Sequence, residues 1–154
     1  MSEREYVIGC DNAAVPMKDL VRDYLRQKGF TVEDVGCNSP EDPTNYPTVA
    51  KHLCSRVMES GYAKRGVLIC GTGLGMCITA NKFKGIRATV CHDAYSAERS
   101  ILSNNANVLC MGARVIGPEL AKKIVDEWTS LEFQDGHSTA KVAEISAIEE
   151  ENFR

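Results

Sequence analysis

Along Val67-Leu68-Ile69-Cys70-Gly71-Thr72-Gly73-Leu74-Gly75-Met76, an apolar run ends in a cysteine and three glycines follow at alternate positions. Glycine lets a backbone turn sharply and present its N–H groups, and a helix start adds positive potential, so the segment reads as an anion cradle. It is not a dinucleotide fingerprint, which needs glycine where Met76 stands, nor a Walker loop, since no Lys-Ser/Thr pair follows. Cys70 adds chemistry. A thiol near amide donors at a helix start is held more readily as thiolate. Beside an oxyanion hole, it could attack an acyl carbon or remove a proton next to a carbonyl. An inert strand cysteine before a structural turn fits the spacing equally well. A cysteine hydrolase would also need a histidine base, for which only His52, His92 and His137 are available.

Such a loop needs a strand before it and a helix after it, and the rest of the chain supplies the pattern. Strands are expected at Tyr6–Cys10, Thr31–Val35, Gly66–Cys70, Arg87–Cys91 and Asn107–Met111. Helices are expected near Val15–Lys28, Pro47–Ser60, Leu74–Phe83, Ser96–Leu102 and Pro118–Thr129. Met17, Leu20, Val21, Tyr24 and Leu25 recur at helical spacing, and Gly29 ends that run. Strands alternating with helices predict an α/β fold over residues 1–154, a single doubly wound domain with a five-stranded parallel sheet covered on both faces. An extra C-terminal helix, about His137–Glu150, carries Val142, Ile145 and Ile148 and has no strand after it. It either packs back on its own domain or docks on a neighbouring subunit.

In a doubly wound sheet, ligands bind beyond the carboxyl ends of the strands. There the sequence places Cys10-Asp11-Asn12, Cys37-Asn38, Cys70-Gly71-Thr72 and Cys91-His92-Asp93. The irregular stretch Gly36–Tyr46 is long for a compact domain, which marks it as functional. His92 reads as a hydrogen-bonded strand-end histidine. Lys18, Arg22, Arg26 and Lys28 read as a solvated helix face, Asn81 and Lys82 as helix capping, and Trp128 with Phe133 as packing.

With 154 residues, 44% hydrophobic and 25% charged, the chain can bury an ordinary globular core. A net charge of -3 without a Lys/Arg block argues against a nucleic-acid surface. No apolar run approaches the roughly 20 residues that span a bilayer, and the polar first residues do not resemble a secretory signal. The seven cysteines are odd in number and form no C-x-x-C pair. Reduced thiols in a cytoplasmic protein are expected, without a metal site or disulfide frame.

Taken together, these residues resemble the ribose-5-phosphate isomerase type B family, which also contains the galactose-6-phosphate isomerase subunits. The resemblance rests on Ile8-Gly9-Cys10-Asp11, Asn45-Tyr46-Pro47, Leu68–Gly75, Ala80-Asn81-Lys82, Gly85-Ile86-Arg87-Ala88, Tyr95-Ser96-Ala97, Ala106-Asn107-Val108-Leu109 and Gly112–Gly117, in family order. It implies a Rossmann-like fold and aldose–ketose isomerisation of a sugar phosphate through a cis-enediolate, without metal or cofactor. It further implies a homodimer, with tetramers left open, whose sites borrow residues from the partner. Cys70 would then be the base, Thr72 a proton shuttle, and the Gly71, Gly73 and Gly75 backbone the enediolate cradle. Asp11 and Asn104 would bind hydroxyls, Tyr46 would reach across the dimer, and Arg114 would meet the phosphate.

Several positions depart from the family pattern. Asn12 stands where a histidine is usual, Asn45 where an aspartate is usual, and Ser103 in place of the ring-opening histidine. The C-terminal phosphate clamp corresponds to His137-Ser138-Thr139-Ala140-Lys141, in which His137 and Lys141 could still hold a phosphate. Proton-transfer residues are kept while the far end of the substrate site is rewritten. That split points to the same isomerisation on another sugar phosphate, such as a tetrose 4-phosphate. A sugar-phosphate binding protein without catalysis, or one subunit of a hetero-oligomeric isomerase, would leave the same replacements.

Overall fold

The computed structural model describes residues 4–153. Five strands form one parallel sheet: β1 (Tyr6–Cys10), β2 (Val32–Asp34), β3 (Arg65–Cys70), β4 (Ala88–Val90) and β5 (Val108–Gly112), in the order β2-β1-β3-β5-β4. Every residue of β1, β3 and β5 is buried, as expected of central strands covered on both faces. The register pairs Ile8 with Val67, and Cys70 with Gly112.

Helices α1 (Val15–Gln27), α4 (Ala94–Leu102) and α5 (Pro118–Thr129) pack together on one face of the sheet. Helices α2 (Tyr46–Glu59) and α3 (Leu74–Ala80) pack on the other. Leaving β1, the chain turns outward to β2, then crosses back through α2 to β3 on the other side of β1. The winding direction therefore reverses between β1 and β3, opening a crevice beyond Cys10 and Cys70.

Most elements lie within two residues of expectation. Helix α3 is the exception, stopping at Ala80 rather than Phe83. Its end is explained by Asn81, whose side chain leaves the helix to clip the first residue of β4. The amide donates to the Ala88 carbonyl at 2.9 Å, and the side-chain oxygen accepts from the Ala88 N–H at 2.8 Å. Asn81 thus caps α3, as expected, and also joins helix to sheet.

The expected solvated face of α1 needs a larger correction. Lys18 is fully buried, its ammonium donating to Asp34 and to Asn38 at 2.7 Å each, and Arg22 reaches the same Asp34 oxygen at 2.7 Å. The charge that pulls Lys18 inward sits on β2, a different element. Trp128 is core, lying 6.2 Å from the Tyr6 ring. The last helix, α6 (Thr139–Asn152), buries only Val142 and leaves Ile145 and Ile148 exposed. It begins two residues later than expected, so His137 precedes it.

Candidate active site

Strand β3 ends at Cys70, and Gly73 caps α3 with φ +81, a left-handed conformation suited to glycine. A Cβ at Gly73 would also lie 2.9 Å from the Met111 carbonyl carbon. This turn points the Gly73 N–H at the Cys70 sulfur, 3.1 Å away. Thr72 is exposed beside it, its hydroxyl oxygen accepting from the Leu74 N–H at 3.3 Å.

The end of β5 holds the loop from the other side. Ala113 N–H donates to the Cys70 carbonyl at 2.8 Å and Arg114 N–H to the Gly71 carbonyl at 3.0 Å. These bonds bring the Arg114 guanidinium over Gly71, where a Cβ would lie 3.5 Å from Nη1. Gly112 packs so closely on Thr72 that a Cβ would stand 2.6 Å from the Thr72 Cα. Its N–H donates to His92 Nε2 at 2.9 Å, so that nitrogen is an acceptor and the neutral ring carries its proton on Nδ1. His92 is thus a strand-end histidine bound to backbone, as expected. The packing role of Gly112 was missed because only the three-dimensional register shows what it faces.

Across the crevice, Asp11 N–H donates to the Ile69 carbonyl at 3.3 Å, tying the ends of β1 and β3, while its carboxylate accepts from Ala13 N–H at 3.1 Å. The Asn12 amide donates to the Asp42 carbonyl at 3.2 Å, fastening the long Gly36–Tyr46 loop beside the site. Tyr46 opens α2, and its ring lies against Gly75 so closely that a Cβ there would collide with it. The tyrosine therefore meets the glycine loop of its own chain. Packing of α2 against α3 on the same sheet face accounts for this.

The remaining site residues lie elsewhere. Ser103 ends α4, where its hydroxyl accepts from Arg99 at 3.3 Å, and Asn104 follows on the way into β5. They sit at the amino end of the sheet, whereas Cys70 is at the carboxyl end. The length of β5 alone separates those ends by about 13 Å. Asn104 borders an apolar cleft of about 370 Å³ with Ile86, Ile145 and Ile148. Helix α6 is joined to that same end, since Glu149 accepts from Gly85 N–H at 2.9 Å and Glu150 pairs with Lys84 at 2.8 Å. One chain therefore assembles Cys70, Thr72, the glycines, Asp11, Asn12, Tyr46 and Arg114. It leaves Ser103, Asn104 and the α6 segment with His137 and Lys141 outside that group.

The seven cysteines are free. Burial pushes the Cys10 and Cys54 thiols up to about 12, whereas a hydrogen bond with Cys110 brings Cys77 down to about 7. Among the described residues, no three His, Cys, Asp or Glu side chains are grouped to hold a metal ion. The larger apolar clefts, about 370 and 410 Å³, do not include Cys70 in their linings. Donors and charge mark the Cys70 loop more clearly than the size of a hollow does.

The family model described as Ribose/Galactose Isomerase matches residues 6–145. The chain belongs to that family. It is 51% identical over 142 residues to D-erythrulose-4-phosphate isomerase of Pectobacterium atrosepticum, covering 92% of this chain and 93% of the relative. It is 52% identical over 146 residues to D-erythrulose-4-phosphate isomerase 2 of Mycolicibacterium smegmatis, covering 93% and 95%. Among solved structures, ribose-5-phosphate isomerase B of Clostridium thermocellum superposes with a TM-score of 0.90 at 41% identity, over 96% of this chain and 98% of that one. This ribose/galactose isomerase family member is a sugar-phosphate isomerase with the doubly wound fold expected of it.

Proposed function

We propose that the chain interconverts the ketose and aldose forms of a four-carbon sugar phosphorylated on its terminal oxygen. The Cys70 thiolate removes the proton from the carbon beside the carbonyl, giving a cis-enediolate, and returns it to the neighbouring carbon. Thr72 moves a proton between the two oxygens. Amide donors of the Gly71–Gly75 backbone hold the oxygen that carries the developing charge. Arg114 takes the phosphate, with Asp11, Asn12 and Tyr46 along the substrate. Carbon, oxygen and hydrogen balance without an external oxidant or reductant.

The observation that carries this reading is the Gly73 N–H, 3.1 Å from the Cys70 sulfur. The choice of a tetrose rests on chemistry. Phosphorylation of the terminal oxygen removes the hydroxyl that would close a five-membered ring, so no acid is needed to open one. Ser103, where the family resemblance leads one to expect a ring-opening histidine, is then sufficient. The names of the two D-erythrulose-4-phosphate isomerases support the same choice.

The division of site residues between opposite ends of the sheet supports a homodimer. A second copy would bring its Ser103, Asn104, His137 and Lys141 to the Cys70 end of the first. The free cysteines support a reducing, cytoplasmic setting, and no described helix is long and apolar enough to cross a membrane.

Proton NMR in D₂O, with four-, five- and six-carbon sugar phosphates offered to wild type and Cys70→Ala, tests the proposal. Cys70-dependent conversion fastest on erythrulose 4-phosphate is the expected result. Preferred turnover of ribose 5-phosphate would overturn the substrate assignment, and full activity of Cys70→Ala would overturn the base.

A further inference from the structure

At the amino end of the sheet lies a polar cavity of about 290 Å³ whose lining includes Arg4, Arg65 and Arg87. Within one chain, the length of β3 separates it from the Cys70 end. Arg65 begins that strand and Cys70 ends it, a separation of about 16 Å. Arg65 is 4% exposed, with its guanidinium 5.6 Å from the Trp128 ring, donating to the Leu131 carbonyl at 3.1 Å. Arg87 donates to the Asn105 carbonyl at 2.6 Å and, more weakly, to the Gly85 carbonyl at 3.4 Å. Burial pushes the proton affinity of both guanidiniums down.

Among the described residues, one carboxylate lines this hollow. Glu132 accepts from Arg4 at 2.7 and 2.8 Å and from Arg65 at 3.0 Å, while Glu149 of α6 acts on Arg87 from outside the lining. Among the described residues, three cations share one anion within the cavity, and the buried Arg4 Nε has no hydrogen-bond partner. Among the described residues, the two non-glycine positions with left-handed backbone, Tyr62 at φ 65 and Asn105 at φ 50, both line the same cavity. Strained backbone persists where the surrounding structure holds it, and such positions cluster at ligand clamps.

We propose that this cavity is a second anion site, built for a dianionic phosphate group, with Arg4, Arg65 and Arg87 as its donors. Glu132 serves as the internal counter-ion that phosphate displaces. Planar guanidiniums match phosphate oxygens in pairs, and partial burial strengthens each contact. No bond is made or broken in this site.

The test is isothermal titration with inorganic phosphate, and separately with glycerol 3-phosphate, of the full chain carrying Arg114→Gln to weaken the phosphate contact at the carboxyl end. Adding Glu132→Gln removes the competing carboxylate and should tighten binding about tenfold, while adding Arg4→Gln should weaken it about tenfold. A folding defect in Arg4→Gln cannot imitate the tightening expected of Glu132→Gln. Turnover of Glu132→Gln in the otherwise wild-type chain should be unchanged. Stronger binding of inorganic phosphate identifies the free ion as the ligand, and stronger binding of glycerol 3-phosphate identifies a phosphorylated metabolite. Equal affinity across all three proteins for both ligands, or no binding by the Arg114→Gln chain and its Glu132→Gln derivative, overturns the site.

Discussion

The ammonium group of Lys18 lies 2.7 Å from the Asp34 carboxylate and has no exposed surface of its own. It also donates to Asn38, beside Cys37 on the loop that Asn12 fastens at Asp42. A buried charge loses its hydration, so removing one member of such a pair leaves the other uncompensated. Lys18→Met is expected to lower stability by about 3 kcal/mol in urea unfolding. Asn38→Ala, which cuts only the tie to the loop, should cost about 1 kcal/mol.

The same pair sets the pH response. Burial alone would push Asp34 up, but hydrogen bonds from Lys18, Arg22 and the Gly36 N–H outweigh it and hold the carboxyl below its ordinary 3.8. A depressed carboxyl stabilises the fold above its unfolded value and loses that contribution as pH falls through the folded one. Burial would likewise lower Lys18, but Asp34 and Asp19 raise it above 10.5, so its contribution is lost as pH climbs through the raised value. Thermal unfolding from pH 2 to pH 12 should show both limbs in wild type. Asp34→Asn should flatten the acid limb below about pH 4.

Cysteine labelling separates the thiols. At pH 7.5, iodoacetamide should modify half-buried Cys77, lowered to about 7, well before Cys10 and Cys54, which are raised to about 12. Peptide mass mapping over time would show the order, and earlier labelling of Cys54 than Cys77 would contradict it.

Gly73→Ala places a Cβ where φ is +81 and the Met111 backbone is 2.9 Å away. A loss of about 2 kcal/mol is expected, with turnover reduced at least a hundredfold because the Gly73 N–H leaves the sulfur. Circular dichroism should still report the native α/β spectrum.

Helix α6 bears on assembly. Ile148→Asp puts charge on an exposed apolar residue beside the cleft shared with Asn104 and Ile86. If two copies complete each site across this face, sedimentation should show a shift from dimer to monomer, with turnover lost in step. A variant that remained an active dimer would count against that interface.

Periodicity and strand-end chemistry make the five strands, their parallel arrangement and the Cys70–Gly75 loop legible in the sequence. These are local patterns, repeated with the period of the element that carries them. Lys18 escaped the same reading because its partners, Asp34 and Asn38, come from a different element and loop. Asn81 was legible as the cap of α3, but its further clip to Ala88 depends on how α3 meets β4. Family likeness could group Ser103 and Asn104 with Cys70, but only the topology separates them within one chain. Sequence order records neighbours along the chain; it does not record which end of a sheet a residue reaches.

Gly112 and Thr72 meet backbone against backbone, and the Gly73 N–H that faces Cys70 is itself a main-chain atom. Much of the geometry proposed for proton transfer is thus written in atoms that every residue possesses, with glycine required chiefly to keep side chains out. In the proposed site, the opposite end of the substrate would be met by replaceable side chains such as Asn12 and, from a second copy, Ser103 and Lys141. Mutation can therefore explore new substrates one side chain at a time while the reacting end stays intact. A lineage built this way can inherit a reaction and renegotiate its substrate.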